Sequence, residues 1–449
     1  MNWAYKAYYF LSAGIFLLLF PPFWLYTRLS GRYGKNLNQR LGLYPKRLID
    51  EIAGSPRIWM HAASVGEVSA AAAIIDALFV LMPGCAVILS TTTEHGQAFA
   101  RDKLGSKATC IYAPVDFVAS VRKAFLTLKP DILICLETEI WPNWLFEAYR
   151  MGIKTALVNG RISVRSIKGY LRIRPLIRAT LEHVGAFSMI RKEDAGRIKM
   201  MGAPTERVEI NGNAKYDLLA QRADVSNKIK MEKLFNLENN QPVFVAGSTR
   251  SSEEEIVLDV YKKTLESFPE ALLIIAPRHV ERVQHIETLI KDRGFSYQLK
   301  TDLDPKNGLR TAPVVLIDTI GDLQTIYSIA SVVFCGGSLV PLGGQNVLEA
   351  AVWGKPVLYG PSMEDFLDAK ELLEKTGGGI QVADGQELAE KVGYYLANPD
   401  AAGRTGNLAR EAVMSNKGSA GKHAAVIHNL LIPQRANNPV PKDHALVCP

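Results

Sequence analysis

No acidic residue occurs before Asp50, and no charge of either sign lies between Ala7 and Thr27. Cysteine is scarce. Cys85, Cys110, Cys135, Cys335 and Cys448 are odd in number, widely scattered and never in C-x-x-C spacing, which excludes a disulfide framework and a zinc-ribbon-type site. Neither a G-x-x-x-x-G-K-[ST] nor an H-E-x-x-H segment is present, so the usual warrants for nucleotide hydrolysis and zinc proteolysis are missing. No repeat with a period of roughly 20–50 residues appears, which excludes a solenoid or propeller. With 48% hydrophobic and 22% charged residues over 449 positions, the chain is neither collagen-like nor globally disordered, and its length suits two or three globular units.

What is present begins with charge. Fifty-two Lys and Arg against 45 Asp and Glu give +7. Lys6, Arg28, Arg32, Lys35, Arg40, Lys46 and Arg47 carry that whole excess, and the remainder is balanced at 45 basic and 45 acidic side chains. A basic surface spread over the chain would point to nucleic acid. A basic segment directly after an apolar run points to a membrane instead. Tyr8–Tyr26 is apolar with aromatics at both ends, the composition of a bilayer-spanning helix. The following Arg28–Arg47 charges predict a cytoplasmic body behind a single N-terminal membrane anchor. Trp24-Leu25-Tyr26-Thr27-Arg28 offers no small-residue cleavage site, so an uncleaved anchor is expected; Pro21-Pro22 leaves a helix lying in the membrane surface as the alternative.

Beyond the basic segment, short apolar runs alternate with helical patterns. Arg57–His61, Ala86–Ser90, Ile132–Leu136, Thr155–Val158 and Ala186–Met189 read as strands, apolar on both faces, and Val208–Ile210 as a further short one. The pattern weakens over the polar stretch 221–240 and restarts at Val243–Ala246, Leu272–Ala276, Val314–Ile317, Val332–Cys335 and Val357–Tyr359. Strands buried on both faces imply parallel sheets covered by helices. The expected architecture is therefore α/β, with two Rossmann-like doubly wound domains facing a cleft and an N-terminal anchor helix. The expected boundaries are an anchor at 1–27, a basic juxtamembrane segment at 28–49, an N-terminal domain at 50–220, a linker at 221–240, a C-terminal domain at 241–432 and a flexible tail at 433–449.

Ligands of such domains collect at the carboxyl ends of the strands. After the first strand, Ala62-Ala63-Ser64-Val65-Gly66-Glu67 is a small-residue turn into a helix. Glu67 is either a general base or a first-turn acid favoured by the helix dipole. Glu137 and Glu139 follow Ile132–Leu136, two carboxylates at one strand end; Lys215, in Asn211–Asp217, either offsets them, meets an anionic substrate or is a solvated loop residue. In the second half, Ser248 follows a strand and opens a helix, and Arg278 stands where a guanidinium can fork onto a phosphate or a carboxylate. Gly337, Ser338, Gly343, Gly344 and Gln345 form a glycine-flanked loop whose N–H groups can reach a phosphate. Asn346 and Glu349 are either a helix cap or nucleotide contacts.

Nine segments in order resemble the 3-deoxy-D-manno-octulosonic acid (Kdo) transferases of lipopolysaccharide synthesis, glycosyltransferases of the GT-B fold. They are His61-Ala-Ala-Ser-Val-Gly-Glu67, Thr91-Thr-Thr93, Pro114-Val-Asp116, Glu137-Thr-Glu-Ile-Trp-Pro-Asn143, Asn159-Gly-Arg-Ile-Ser163, Gly212-Asn-Ala-Lys-Tyr-Asp217, Ala246-Gly-Ser-Thr249, Ala276-Pro-Arg-His279 and Gly336 through Asn346.

The resemblance implies inverting transfer of Kdo from CMP-Kdo to a tetraacyl lipid A precursor, with the anchor in the cell inner membrane. It makes Glu67 the general base, and Glu137 and Lys215 stabilisers of the transition state. It places CMP on Pro277, Arg278, Ile320, Gly321, Asp322, Asn346, Val347, Leu348 and Glu349. CMP-Kdo is then a substrate, and no cofactor, metal or nucleic acid is expected. Three segments depart from the family pattern: Gln345 stands where histidine is frequent, Ile320-Gly321-Asp322 where Met-Gly-Glu is frequent, and Asn159-Gly160-Arg161 where Asn-Ala-Arg is. The alternatives are a GT-B enzyme using another nucleotide sugar and a silent membrane-tethered scaffold.

Overall fold

The computed structural model describes residues 3–30, 36–222, 224–303 and 308–432. The expected tail at 433–449, with Cys448, lies outside the described residues, as do Arg32 and Lys35 of the basic segment. The other four cysteines are buried and unpaired, as a reduced protein requires.

The chain divides into two compact units. The first comprises residues 1–215 with 418–449, the second residues 216–417. The first unit holds seven parallel strands: β1 (Arg57–His61), β2 (Ala86–Thr91), β3 (Thr109–Tyr112), β4 (Ile132–Leu136), β5 (Lys154–Gly160), β6 (Ala186–Met189) and β7 (Val208–Ile210). Their spatial order is β3-β2-β1-β4-β5-β6-β7. The second holds β8 (Val243–Thr249), β9 (Leu272–Pro277), β10 (Tyr297–Leu299), β11 (Val314–Leu316), β12 (Val332–Cys335), β13 (Val357–Tyr359) and β14 (Gly379–Gln381), in the order β10-β11-β9-β8-β12-β13-β14. Both are doubly wound sheets, as the apolar runs predict. Their order reverses between β1 and β4 and between β8 and β12, and at such switch points the loops leave a crevice for ligands.

Three strands escaped the sequence pattern, and all three are edges: β3, β10 and β14. An edge strand is paired on one side only and needs no long apolar run. Tyr297–Leu299 and Gly379–Gln381 contain no fully buried residue.

Two expected boundaries are corrected. The linker at 221–240 is largely structure: Val225–Leu234 is helical, Phe235 is fully buried, and both belong to the core of the second unit through Met231 and Leu234. The C-terminal domain does not run to 432. The last helix, Ser419–Leu431, packs on the helix Val65–Leu81 and on β5 and β6 of the first unit. Its buried His423 meets Ser188 Oγ at 2.6 Å and Gly212 O at 3.0 Å. An apolar helix with one buried imidazole carries no sequence mark of the unit it joins.

The N-terminal helix α1 (Trp3–Ser30) has the length and apolarity of a span. It does not stand free of the first unit. Tyr5 Oη donates to Asn143 Oδ1 at 3.1 Å and Tyr8 Oη to Asp116 Oδ2 at 2.6 Å, while Tyr5 stacks on Phe146 and Phe16 on Phe117. The opposite face, with Phe10, Leu17, Leu18 and Leu25, is exposed. Polar bonds fix one side of the helix to protein and leave the apolar other side exposed.

Candidate active site

At the switch point of the first unit, Glu67 is the third residue of the helix Val65–Leu81, whose N-cap position is Ser64. Ala63 N donates to its Oε2 at 2.7 Å and Ser64 Oγ to its Oε1 at 3.0 Å. Each oxygen is oriented by one donor and keeps a lone pair for a proton. Burial, with Glu139 and Glu137 adding repulsion, lifts this carboxyl to about 7. First-turn acid and candidate base are thus compatible readings of one side chain: the helix terminus orients it, and burial tunes it.

Glu137 leaves the end of β4 with φ +52, a left-handed conformation that a non-glycine residue adopts only under constraint. Its N–H donates to Val158 O at 3.1 Å, and its Oε1 accepts from Lys215 Nζ at 2.6 Å. Lys215 therefore offsets the carboxylates, one of the options open in the sequence. It also lies over the start of the Glu67 helix: a Cβ on Gly66 would be 3.7 Å from Lys215 Nζ. Residue 215 is set by a second strained position. Asn159, buried at φ +51, accepts from Ala214 N at 2.9 Å, while His423 holds Gly212 O from the other side.

Glu139 has no assigned role in the sequence reading, yet it completes the cluster. Its Oε2 receives Trp141 Nε1 at 2.7 Å and lies 3.4 Å from His61 Nε2, whose Nδ1 is 2.9 Å from Ser90 Oγ. Burial raises this carboxyl, but the His61 and Trp141 contacts outweigh it, and Glu139 stays below the usual range. Two nearby carboxylates are therefore pushed apart, one toward a proton acceptor near neutrality and one toward a fixed anion.

The second unit is organised by Glu253. This fully buried carboxylate accepts from Arg250 N (2.9 Å), Gly337 N (2.6 Å), Ser338 N (2.9 Å) and Leu339 N (2.9 Å), tying the loop after β8 to the loop after β12 across the switch point. A Cβ on Gly336 would come within 2.6 Å of Thr249 Cα, so only glycine allows that approach.

The expectation of phosphate contacts in this loop is corrected at four residues. The N–H groups of Gly337 and Ser338 are taken by Glu253, and Ser338 itself is buried. Gly343 N donates to Ser362 Oγ and Gly344 N to Gly337 O. An internal carboxylate and neighbouring oxygens already occupy these donors. Ser248, at φ +55 within β8, and the side chain of the half-exposed Gln345 are not committed in that way, although the Gln345 N–H bonds the Cys335 sulfur.

Pro277 closes β9, and Arg278 behind it is exposed, its N–H anchored to Thr249 O at 3.0 Å and its guanidinium in no ion pair among the described residues. Ile320 is 87% exposed, and Gly321, at φ +98, makes the turn to Asp322. Asp322 is bonded by Lys300 Nζ at 2.9 Å and by Thr319 Oγ1, contacts that outweigh burial and hold its carboxyl low. Asn346 Nδ2 donates to Glu349 Oε1 at 3.1 Å, and Leu348 N to Asn346 Oδ1 at 3.3 Å; the N-cap position of the helix Leu348–Ala351 is Val347, without a side-chain cap bond, so the two side chains pair with each other and form no capping box. Val347 and Leu348 bury their side chains in the core and offer a ligand only backbone.

The first unit thus gathers a proton acceptor, a fixed anion and a lysine–carboxylate pair, and the second an exposed arginine beside a tightly built glycine loop. Residues 35–218 match the family described as 3-deoxy-D-manno-octulosonic-acid transferase (kdotransferase). A 3-deoxy-D-manno-octulosonic acid transferase of Haemophilus influenzae is 29% identical over 394 residues, covering 87% of this chain and 90% of that one. A bifunctional glycosyltransferase/methyltransferase of Fusobacterium nucleatum is 33% identical over 86% of this chain, which spans only 58% of that relative's length. Among solved structures, a UDP-GlcNAc 2-epimerase from Neisseria meningitidis shares the fold, with a TM-score of 0.58 at 15% identity, over 84% of this chain and 99% of the epimerase.

Proposed function

We propose that the chain is a 3-deoxy-D-manno-octulosonic-acid transferase, a reading the family match over residues 35–218 supports, and that it moves Kdo from CMP-Kdo to a tetraacyl lipid A precursor at the inner membrane, body on the cytoplasmic side. The observation that carries this reading is the environment of Glu67, a carboxylate oriented by two donors and tuned to about 7 beside the Glu137–Lys215 pair.

The acceptor hydroxyl becomes a nucleophile when Glu67 takes its proton. Its oxygen forms a bond to the anomeric carbon of Kdo as the bond from that carbon to the phosphate oxygen breaks, and CMP departs with the electron pair. One displacement inverts the anomeric centre and needs no covalent glycosyl-enzyme. Lys215, held by Glu137, stabilises the negative charge that develops during transfer. Arg278 holds the CMP phosphate, while Pro277, Ile320-Gly321-Asp322 and Asn346 through Glu349 shape the nucleotide site. Ser248 and Gln345 remain the loop contacts available to it.

The direct test incubates the purified full chain with CMP-Kdo and a tetraacylated glucosamine disaccharide bisphosphate, followed by mass spectrometry. The expected result is a product heavier by one or more Kdo residues with release of CMP. An unchanged acceptor mass in active-site-competent protein overturns the reading.

A second expectation concerns the donor alone. Arg278→Ala removes a charge-assisted contact worth about 1.5–3 kcal/mol, so calorimetry should find CMP affinity lowered roughly 10- to 100-fold. Unchanged affinity removes Arg278 from the donor site.

A further inference from the structure

Between α1 and the body of the first unit runs an apolar groove of about 670 Å³. Ile15, Phe16, Phe20 and Phe23 of α1 line one wall, and Leu41 and Phe117 the other. From Tyr8 to Phe23 the helical wall extends roughly 22 Å at 1.5 Å per residue. A second cavity of about 250 Å³ shares Arg40, Val115 and Asp116 with the groove and reaches His61 and Trp141, the two residues that hold Glu139. The apolar groove therefore adjoins the carboxylate cluster, with one arginine where the two spaces meet.

Arg40 donates from Nη2 to Thr92 O at 2.7 Å and lies over the Tyr112 ring, but it forms no ion pair among the described residues. Most of its five donors are left for an anion. Asp116, the acid lining both spaces, is occupied by Tyr8 Oη and by Trp144 N at 3.2 Å. Hydrocarbon walls ending at a guanidinium are complementary to a hydrocarbon chain joined to a phosphate. The outer face of α1, with Leu17, Leu18 and Leu25 exposed, lets such a molecule pass from a membrane to the groove without crossing water.

We propose that this groove takes one acyl chain of the phosphorylated glycolipid acceptor, with a phosphate of its head group at Arg40. The proposal rests on the acceptor reading above and adds to it where the lipid is held. α1 is then part of the substrate site as well as an attachment to the membrane.

Photolabelling of the full-length wild-type chain in phosphatidylcholine nanodiscs tests this without requiring turnover. The probe is the tetraacyl disaccharide bisphosphate carrying a diazirine in one acyl chain. Label is expected on Leu37–Leu41 and Val115–Phe117, suppressed about tenfold by unlabelled acylated acceptor and little by the deacylated disaccharide. Label confined to the outer face of α1 overturns the proposal. So does equal labelling of the groove by a diazirine phosphatidylcholine, which would make it a general lipid seat. Ile15→Trp, which narrows the groove, should raise the KM for the acylated acceptor about tenfold relative to the deacylated one. Equal loss on both acceptors overturns the acyl assignment. Kdo transfer without groove labelling sinks the groove alone, whereas groove labelling without any Kdo transfer sinks the transferase reading.

Discussion

Glu67→Gln is expected to lower kcat for Kdo transfer by roughly 10²–10⁴-fold, the contribution typical of a positioned general base, while CMP affinity stays within a few-fold. The amide keeps the shape: its oxygen can still accept from Ala63 N, and the rotatable Ser64 hydroxyl can turn to accept from its NH2, so the fold survives while the capacity to take a proton is lost. The nucleotide is unaffected because the proposed CMP residues belong to the second unit. The same residue sets a pH dependence. Burial and two neighbouring carboxylates raise its folded value to about 7, so the reactive, deprotonated form grows as pH rises through that value and falls to about a tenth one unit below it. The rate should therefore climb with pH to a plateau above about 7, and the Gln variant should lose this inflection. A Glu67→Gln enzyme within tenfold of wild type would falsify the assignment, and so would a wild-type profile flat from pH 5 to 8.

Glu253→Gln is expected to cost the second unit about 4 kcal/mol. The buried carboxylate serves four N–H donors. A carboxamide offers one oxygen, which satisfies about two of them, and turns an NH2 group toward the others. Each buried donor left without an acceptor costs about 1–3 kcal/mol, so two such losses give that figure. Removing the partner also frees the loop after β12 from the loop after β8, and CMP binding should weaken with it. Denaturant unfolding with circular dichroism measures the first effect and calorimetry the second. A loss below about 1 kcal/mol would show that the loops hold each other without this carboxylate. Ser338→Ala provides the comparison, since its Oγ bonds Cys335 O and Gly360 N but none of the Glu253 network.

Much of the fold was legible because parallel strands buried on both faces must be continuous apolar runs. Ile132–Leu136 and Val332–Cys335 are fully buried and stand out in the sequence, whereas the edge strands β10 and β14 do not, since one paired side relaxes the demand for apolar residues. Glu67, Glu137 and Lys215 were legible as types at strand ends, and the structure brings them together. Their neighbours were less so. His423 lies over 200 residues from the Gly212 it holds, and Glu253 reads as one of three acids at the start of a helix. A hydrogen bond between distant backbone and side chain leaves no periodicity to detect.

The sequence alone determined two parallel-sheet domains, the ordered motifs that carry the family resemblance, the basic segment behind an apolar run and the residue types available for chemistry. Those properties follow from local composition, period and order. Only the tertiary structure decided how the same residues are used. Glu253 fills with its own carboxylate the donors that a glycine loop offered to a phosphate, and the last helix crosses back to position Lys215. The apolar N-terminal run became one wall of a groove, because Tyr5 and Tyr8 find acceptors on the folded unit. Which buried donor meets which acceptor depends on three-dimensional proximity, a relation that neither composition nor spacing along the chain encodes.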